Sequence, residues 1–297
     1  MDEATGTLGT AATRLARELD ALGTAPLLVL TGAGVSAASG LATFRGTEPG
    51  AIWREDDVEL GTWAMFLRDP VAQWRWYLGR FTGILEARPN PAHFALADIE
   101  RWHAGRGGEV LLVTQNIDTL HEDAGSQRLI KVHGTADRLR CSAPGCPLGA
   151  PFGSLPRLDV DVTPFLADPR LETLPTCPRC GALLRAHALF FDEYYQDHAD
   201  YQFDRVQEAA ATAALVLSVG TSHSVGVTEL VLRSALRRDV PVLAVDPGAA
   251  PSPRGVTRLA AAAEQVLPAA YRLLPGTARD GARGAARSGK PDGSEAR

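Results

Sequence analysis

The chain has 297 residues, 45% hydrophobic and 22% charged, which is the profile of a globular enzyme with one large domain or a large domain plus a small insert. A formal net charge of −5 argues against bulk attraction to nucleic acid or anionic membrane, so no direct nucleic-acid binding is expected. No apolar run approaches the roughly 20 residues that span a bilayer, and the N-terminus MDEATGTLGTAATRLARELD is acidic rather than signal-like. No membrane partner is therefore expected, and the cytoplasm is the default location.

Leu8, Leu15, Leu19 and Leu22 recur at helical spacing until Pro26. Leu27 to Leu30 then form a short apolar run ending at Thr31-Gly32, the signature of a buried parallel strand. Similar runs follow at 110–114, 129–132, 215–219 and 240–245, with helical patterns at 70–86, 92–102 and 225–237. Strands alternating with helices predict an α/β fold with a Rossmann-like parallel sheet. The alternation breaks over 138–186, a proline-rich stretch that holds all four cysteines and reads as a small inserted module. The large domain is thus expected to comprise 1–137 and 187–274. Residues 275–297 have almost nothing to bury and read as a disordered tail.

Four constellations carry chemistry. Gly32-Ala33-Gly34 directly follows the first strand, where closely spaced glycines let backbone approach a pyrophosphate and a following helix start aims N–H groups at it. By itself this motif also fits a glycine turn between strand and helix. A hydride-transferring Rossmann enzyme needs an acid ending a second strand about 20 residues on; no strand precedes the acids there, which weakens that reading. Cys141 and Cys146 are followed, thirty residues on, by Cys177 and Cys180. Two close pairs with no thiol left over fit one tetrahedral zinc with every position filled, hence structural. Gln115, Asn116 and Asp118 end a strand, where open α/β sheets bind ligands and where these types hold amides and ribose hydroxyls, although a capped loop has the same look. His133 ends the next strand, and an imidazole near neutral pKa can take a proton from a sugar hydroxyl or merely pack there.

In this order GAGVSAASGLATFRG, TQNIDTLHEDAG, VHG, the two cysteine pairs and Val219-Gly220-Thr221-Ser222 resemble the sirtuins, NAD-dependent protein lysine deacylases, over about residues 25–270. The resemblance implies a cleft between the large domain and the zinc module that takes NAD as co-substrate and acylated-lysine proteins as partners. It implies that Gly32, Ala33, Gly34, Thr43, Phe44 and Arg45 cover NAD, that Gln115, Asn116 and Asp118 surround the nicotinamide and its ribose, and that Gly220, Thr221, Ser222 and Asp246 complete the cofactor site. It makes His133 the catalytic base: the acyl oxygen attacks the ribose carbon as nicotinamide leaves, and His133 helps a ribose hydroxyl attack the resulting imidate. The products are free lysine and O-acyl-ADP-ribose. No protein nucleophile is needed, only positioning and one base.

Tyr77 and Arg80 match the Y-x-x-R of sirtuins that prefer succinyl, malonyl or glutaryl lysine, and Gly61 falls where that branch has a small residue. Arg80 is then expected to pair with a distal carboxylate, Tyr77 to add a hydrogen bond, and Gly61 to leave room for the longer chain. A packed aromatic with a surface arginine fits the same i, i+3 pattern among Trp74, Trp76 and Phe81. The resemblance puts Phe191 in the segment expected to pair with substrate backbone. Three positions depart from the family: Ala42 for a proline, Asp192 for a glycine after Phe191, and Asp246 for an asparagine at the adenosine ribose. An NAD hydrolase or ADP-ribosyltransferase in the same cleft, and a non-catalytic binding module, are the rival functions.

Overall fold

The computed structural model describes residues 3–42, 55–222, 226–248 and 253–277. Thr43, Phe44 and Arg45 and most of the expected tail, 278–297, lie outside the described residues. Helix α1 (Glu3–Ala21) leads into strand β1 (Leu27–Thr31), and a 3-10 helix (Ala33–Ser39) follows at once. Helices α2 (Glu55–Leu60), α3 (Trp63–Arg68), α4 (Pro70–Glu86) and α5 (Pro91–Gly105) precede β2 (Val110–Thr114). Then come α6 (Leu120–Asp123), β3 (Leu129–Lys131), β4 (Gly134–Cys141), β5 (Leu155–Pro156), α7 (Thr163–Ala167) and β6 (Leu184–Ala188). The chain continues through α8 (Phe203–Thr212), β7 (Leu215–Val219), α9 (Gly226–Arg237), β8 (Val242–Val245), β9 (Val256–Leu259) and α10 (Ala263–Tyr271).

Among the described residues six strands form a parallel sheet in the order β3-β2-β1-β7-β8-β9. Its central strands are buried from end to end, which is why they appear in the sequence as unbroken apolar runs. Helices α1, α5 and α10 cover one face through Leu15, Leu19, Leu96, Ile99, Val266 and Leu267. The other face packs on α8 and α9 through Val206, Val227 and Val231. Strand order reverses between β1 and β7, so a crevice opens at their carboxyl ends, the place where such sheets take ligands.

A second, antiparallel sheet, β5-β4-β6, carries the cysteine module. Its core joins Leu139, Leu155, Phe165 and Leu184 to Phe66, Trp74, Tyr77 and Phe81 of α3 and α4. Helix α4, far away in sequence, thus packs on the module rather than on the parallel sheet. Asp69 caps α4 by accepting from Ala72 N–H, and Pro70 occupies its first position, so this helix begins where local chemistry dictates. Pro275 is bound back to the body, its carbonyl accepting from Trp102 Nε1 at 2.9 Å.

Candidate functional site

The glycines after β1 and β7 meet backbone to backbone. Gly34 N–H donates to the Gly220 carbonyl at 2.8 Å, and a Cβ on Gly34 would stand 2.8 Å from Gly220 Cα. Gly220 has φ +59°, and a Cβ there would meet Val35 N at 2.3 Å. Any side chain at either position collides with main chain, so the floor of the crevice requires glycine at both. The expected helix start after Gly34 is a 3-10 helix whose N-cap is Gly32.

Around this floor the ends of β1 and β2 are knitted by polar side chains. Gln115 Nε2 donates to Thr221 Oγ1 at 3.1 Å. Asn116 Nδ2 donates to the Gly32 carbonyl at 3.1 Å and to Ser36 Oγ at 3.0 Å. Ser36 in turn donates to Asp118 Oδ2 at 2.9 Å, and Asp118 Oδ1 accepts from Leu120 N–H. Gln115, Asn116, Asp118 and Ser36 are all buried. The amides and the carboxylate are therefore held in fixed orientations before any ligand arrives. Asp246, at the end of β8, is half-buried, with Oδ1 accepting from Gly248 N–H at 2.8 Å. Thr221 is buried and Ser222 exposed beside it.

His133 follows β3 directly. Its Nδ1 lies 2.8 Å from the Gln115 carbonyl, which can only accept, so Nδ1 carries the proton and Nε2 presents a lone pair. Burial pushes the ring below its ordinary pKa, against the opposing effect of the Gln115 bond. The imidazole is thus neutral at pH 7, in the form a proton acceptor needs.

Residues without a role in the sequence reading complete the surroundings. His93 Nδ1 accepts from Asn90 N–H, leaving Nε2 to donate toward Ser36 Oγ at 3.4 Å. Burial drives His93 to about 4 despite the nearby Asp118 charge. His121 Nε2 is 3.0 Å from Thr31 Oγ1. Both histidines buttress the pocket as neutral rings. His93 lies in no recognisable local motif; His121 lies in TQNIDTLHEDAG and Ser36 in the glycine-rich loop, but nothing in their spacing sets them apart there.

Three substrate expectations meet a different local arrangement. Tyr77 is only 2% exposed, and its hydroxyl donates to the Ala136 carbonyl at 3.0 Å. Burial raises its pKa to about 12. Over Gly61 a Cβ would stand 2.7 Å from the Phe191 ring, so Phe191 fills the room expected there for a long acyl chain. Phe191 itself is exposed on one side, and its N–H donates to the Gly61 carbonyl. Arg80 is half-buried one helical turn beyond Tyr77. The two oxygens of Asp192 accept from Trp63 and Ala64 N–H at 2.6 and 3.0 Å, tying this segment to α3.

The four cysteine Sγ atoms lie within 4.8 Å of one another, with Cys141–Cys180 at 3.5 Å and Cys146–Cys177 at 3.7 Å. Four thiolates about 2.3 Å from one zinc have S···S edges of about 3.8 Å, so the donors fit that ion. Ala143 and Arg179 N–H groups donate to Cys141 and Cys177 sulfur, supporting the thiolate form. A second group, His187, His198 and Asp200, is a hydrogen-bonded tie. His198 Nδ1 accepts from Asp200 N–H, and Nε2 faces the Gly153 carbonyl, so both nitrogens are engaged by backbone.

Residues 32–227 match the Sir2 family. The chain belongs to it. This sirtuin is 39% identical over 198 residues to an NAD-dependent protein deacylase of Thermus thermophilus, covering 66% of this chain and 69% of the relative. The same identity holds over 196 residues with NAD-dependent protein deacylase 2 of Pyrobaculum aerophilum, again 66% and 69%. A solved Sir2 homologue–NAD complex is 31% identical with a TM-score of 0.69, covering 86% of this chain and 92% of that one. An ADP-ribose complex of a Sir2 homologue variant is 29% identical with a TM-score of 0.71, covering 92% and 96%. This chain is an enzyme of that α/β, NAD-dependent family. Among its described residues no helix is long and apolar enough to cross a membrane.

Proposed function

We propose that this sirtuin is an NAD-dependent protein lysine deacylase that releases nicotinamide and O-acyl-ADP-ribose. The supporting observation is the buried hydrogen-bonded group of Gln115, Asn116, Ser36 and Asp118 beside the Gly34–Gly220 contact, with the His133 Nε2 lone pair at its edge. NAD supplies the electrophilic ribose carbon and the leaving nicotinamide. Gly32, Ala33 and Gly34 approach the diphosphate, while Gln115, Asn116 and Asp118 orient the nicotinamide and its ribose. Gly220, Thr221, Ser222 and Asp246 hold the adenosine side, and the family resemblance assigns Thr43, Phe44 and Arg45 to cofactor contact. His133 Nε2 takes the proton of a ribose hydroxyl, an effect typically worth about 10²–10⁴-fold.

Phe191, Gly61, Tyr77 and Arg80 border the acyl group. A short acyl chain is the better match to this site. The Tyr77 hydrogen is already bonded to the Ala136 carbonyl, so donating to a distal carboxylate would orphan a buried acceptor. Asp192, which replaces a glycine in the segment after β6, has both oxygens engaged by backbone N–H groups of α3. A reducing cytosolic setting accords with four thiols gathered for a metal.

The test is a matched assay with NAD and one peptide carrying acetyl-, malonyl- or succinyl-lysine, with product masses recorded for the wild type and His133→Ala. Deacylation that collapses in the variant supports the proposal. Nicotinamide release without peptide turnover would move the function to NAD hydrolysis. Faster removal of acidic acyl groups, reversed by Arg80→Met, would overturn the preference for short acyl chains.

A further inference from the structure

Tyr195 lies two residues beyond Glu193, on the loop between β6 and α8, and no function described so far uses it. Its ring stacks on two others, His133 at 5.8 Å and 14° and Phe203 at 4.5 Å and 9°. Its hydroxyl is 3.4 Å from His133 Nε2. Burial raises the Tyr195 pKa, against the opposing pull of the Val227 N–H in the first turn of α9. Gly226 borders the Tyr195 hydroxyl, since a Cβ there would stand 3.8 Å from it.

The directions of these bonds follow from chemistry. His133 Nδ1–H faces the Gln115 carbonyl, so Nε2 has only a lone pair to offer. Tyr195 must therefore be the donor to Nε2, and its oxygen is free to accept from Val227. One chain of donors runs from the Tyr195 hydroxyl to His133 Nε2 and from His133 Nδ1–H to the Gln115 carbonyl. It anchors the imidazole at both nitrogens, to β2's carboxyl end and to the loop between β6 and α8, while the stacked ring blocks rotation of its plane.

We propose that Tyr195 is a positioning residue for His133: in the free enzyme its hydroxyl caps Nε2 and holds the imidazole in the Nδ1–H tautomer, and it gives way when the ribose hydroxyl takes that lone pair. The inference rests on the reading of His133 as the base. At 3.4 Å the bond is long, and the ribose hydroxyl can displace it. Tyr195→Phe keeps the stack and removes only the hydroxyl. The loss of one neutral hydrogen bond corresponds to about a 3- to 10-fold lower kcat.

The experiment compares wild type, Tyr195→Phe, Tyr195→Leu and His133→Ala for kcat and for KM of NAD and acetyl-lysine peptide. It also records the two ¹⁵N resonances of His133. In Tyr195→Phe, kcat falls 3- to 10-fold with both KM values within about twofold, and the Nε2 resonance moves toward that of an unbonded acceptor while Nδ1 stays protonated. Tyr195→Leu, lacking the stack as well, falls further and mixes the tautomers. An unchanged Nε2 resonance, or an unchanged kcat, in Tyr195→Phe overturns the proposal if His133→Ala is inactive. Turnover retained by His133→Ala overturns the base assignment itself, whatever Tyr195→Phe does.

Discussion

Glu193 offers the sharpest test of how the segment after β6 is held. Its Oε1 accepts from Arg140 at 2.9 Å and from Arg185 at 2.5 Å, and Oε2 accepts from Arg185 and from Phe190 N–H, both at 2.9 Å. Both arginines are 2% exposed, so one carboxylate faces two guanidiniums that water cannot reach. Glu193→Gln keeps the shape and removes the charge. Breaking a buried pair by neutralising one partner costs about 3–5 kcal/mol, because the remaining charge is left buried. At about 2–4 °C per kcal/mol for a domain of this size, the lower figure alone lowers Tm by roughly 6–12 °C. Burial pushes the Glu193 carboxyl up, but Arg185 and Arg140 more than offset it and hold the group below its ordinary value. Its contribution is therefore complete above the unfolded pKa of about 4.3 and is lost as pH falls through the lower folded value. Thermal melts of wild type and variant from pH 7 to pH 3 should differ most at pH 7 and converge at the acid end. A variant melting within about 2 °C of wild type at pH 7, or a gap independent of pH, would refute the argument.

Gly220→Ala should abolish NAD-dependent turnover and lower Tm, because its Cβ would meet Val35 N at 2.3 Å in a left-handed backbone position; measurable NAD binding by calorimetry in that variant would contradict the tight floor. Chelation of zinc, followed by circular dichroism and metal analysis, should release about one zinc per chain with loss of the cysteine module and then of activity; full activity in metal-free protein would rule out the structural role. Because burial lowers the His133 pKa, the acid limb of kcat/KM should have its midpoint below 6.5, with activity retained down to that pH and lost beneath it as the ring protonates; a midpoint above 6.5 would contradict the buried-base environment. Tyr77→Phe should lower stability by about 1–2 kcal/mol in denaturant titration, since it orphans the buried Ala136 carbonyl; no loss would mean that the bond is not formed in solution.

What the sequence determined was the part governed by short-range pattern. Apolar runs became β1, β2, β7 and β8, because strands buried on both faces leave little room for alternation. The cysteine spacing was equally legible, since two close pairs confine four thiols whatever joins them. Edge strand β9 was not, because half of it faces solvent and its Val-Thr-Arg-Leu carries no apolar run. Nor was the charged strand β6, where Arg185 is buried only because Glu193 returns to meet it. Helical spacing at Tyr77 and Arg80 says that they share a face, not which core that face meets. Only the tertiary structure set α4 against the cysteine module, gave the Tyr77 hydrogen to Ala136, turned Asp192 onto α3 and stacked Tyr195 on His133. Those choices depend on groups separated by tens of residues, whose encounter is decided by packing the whole chain rather than by any local run of it.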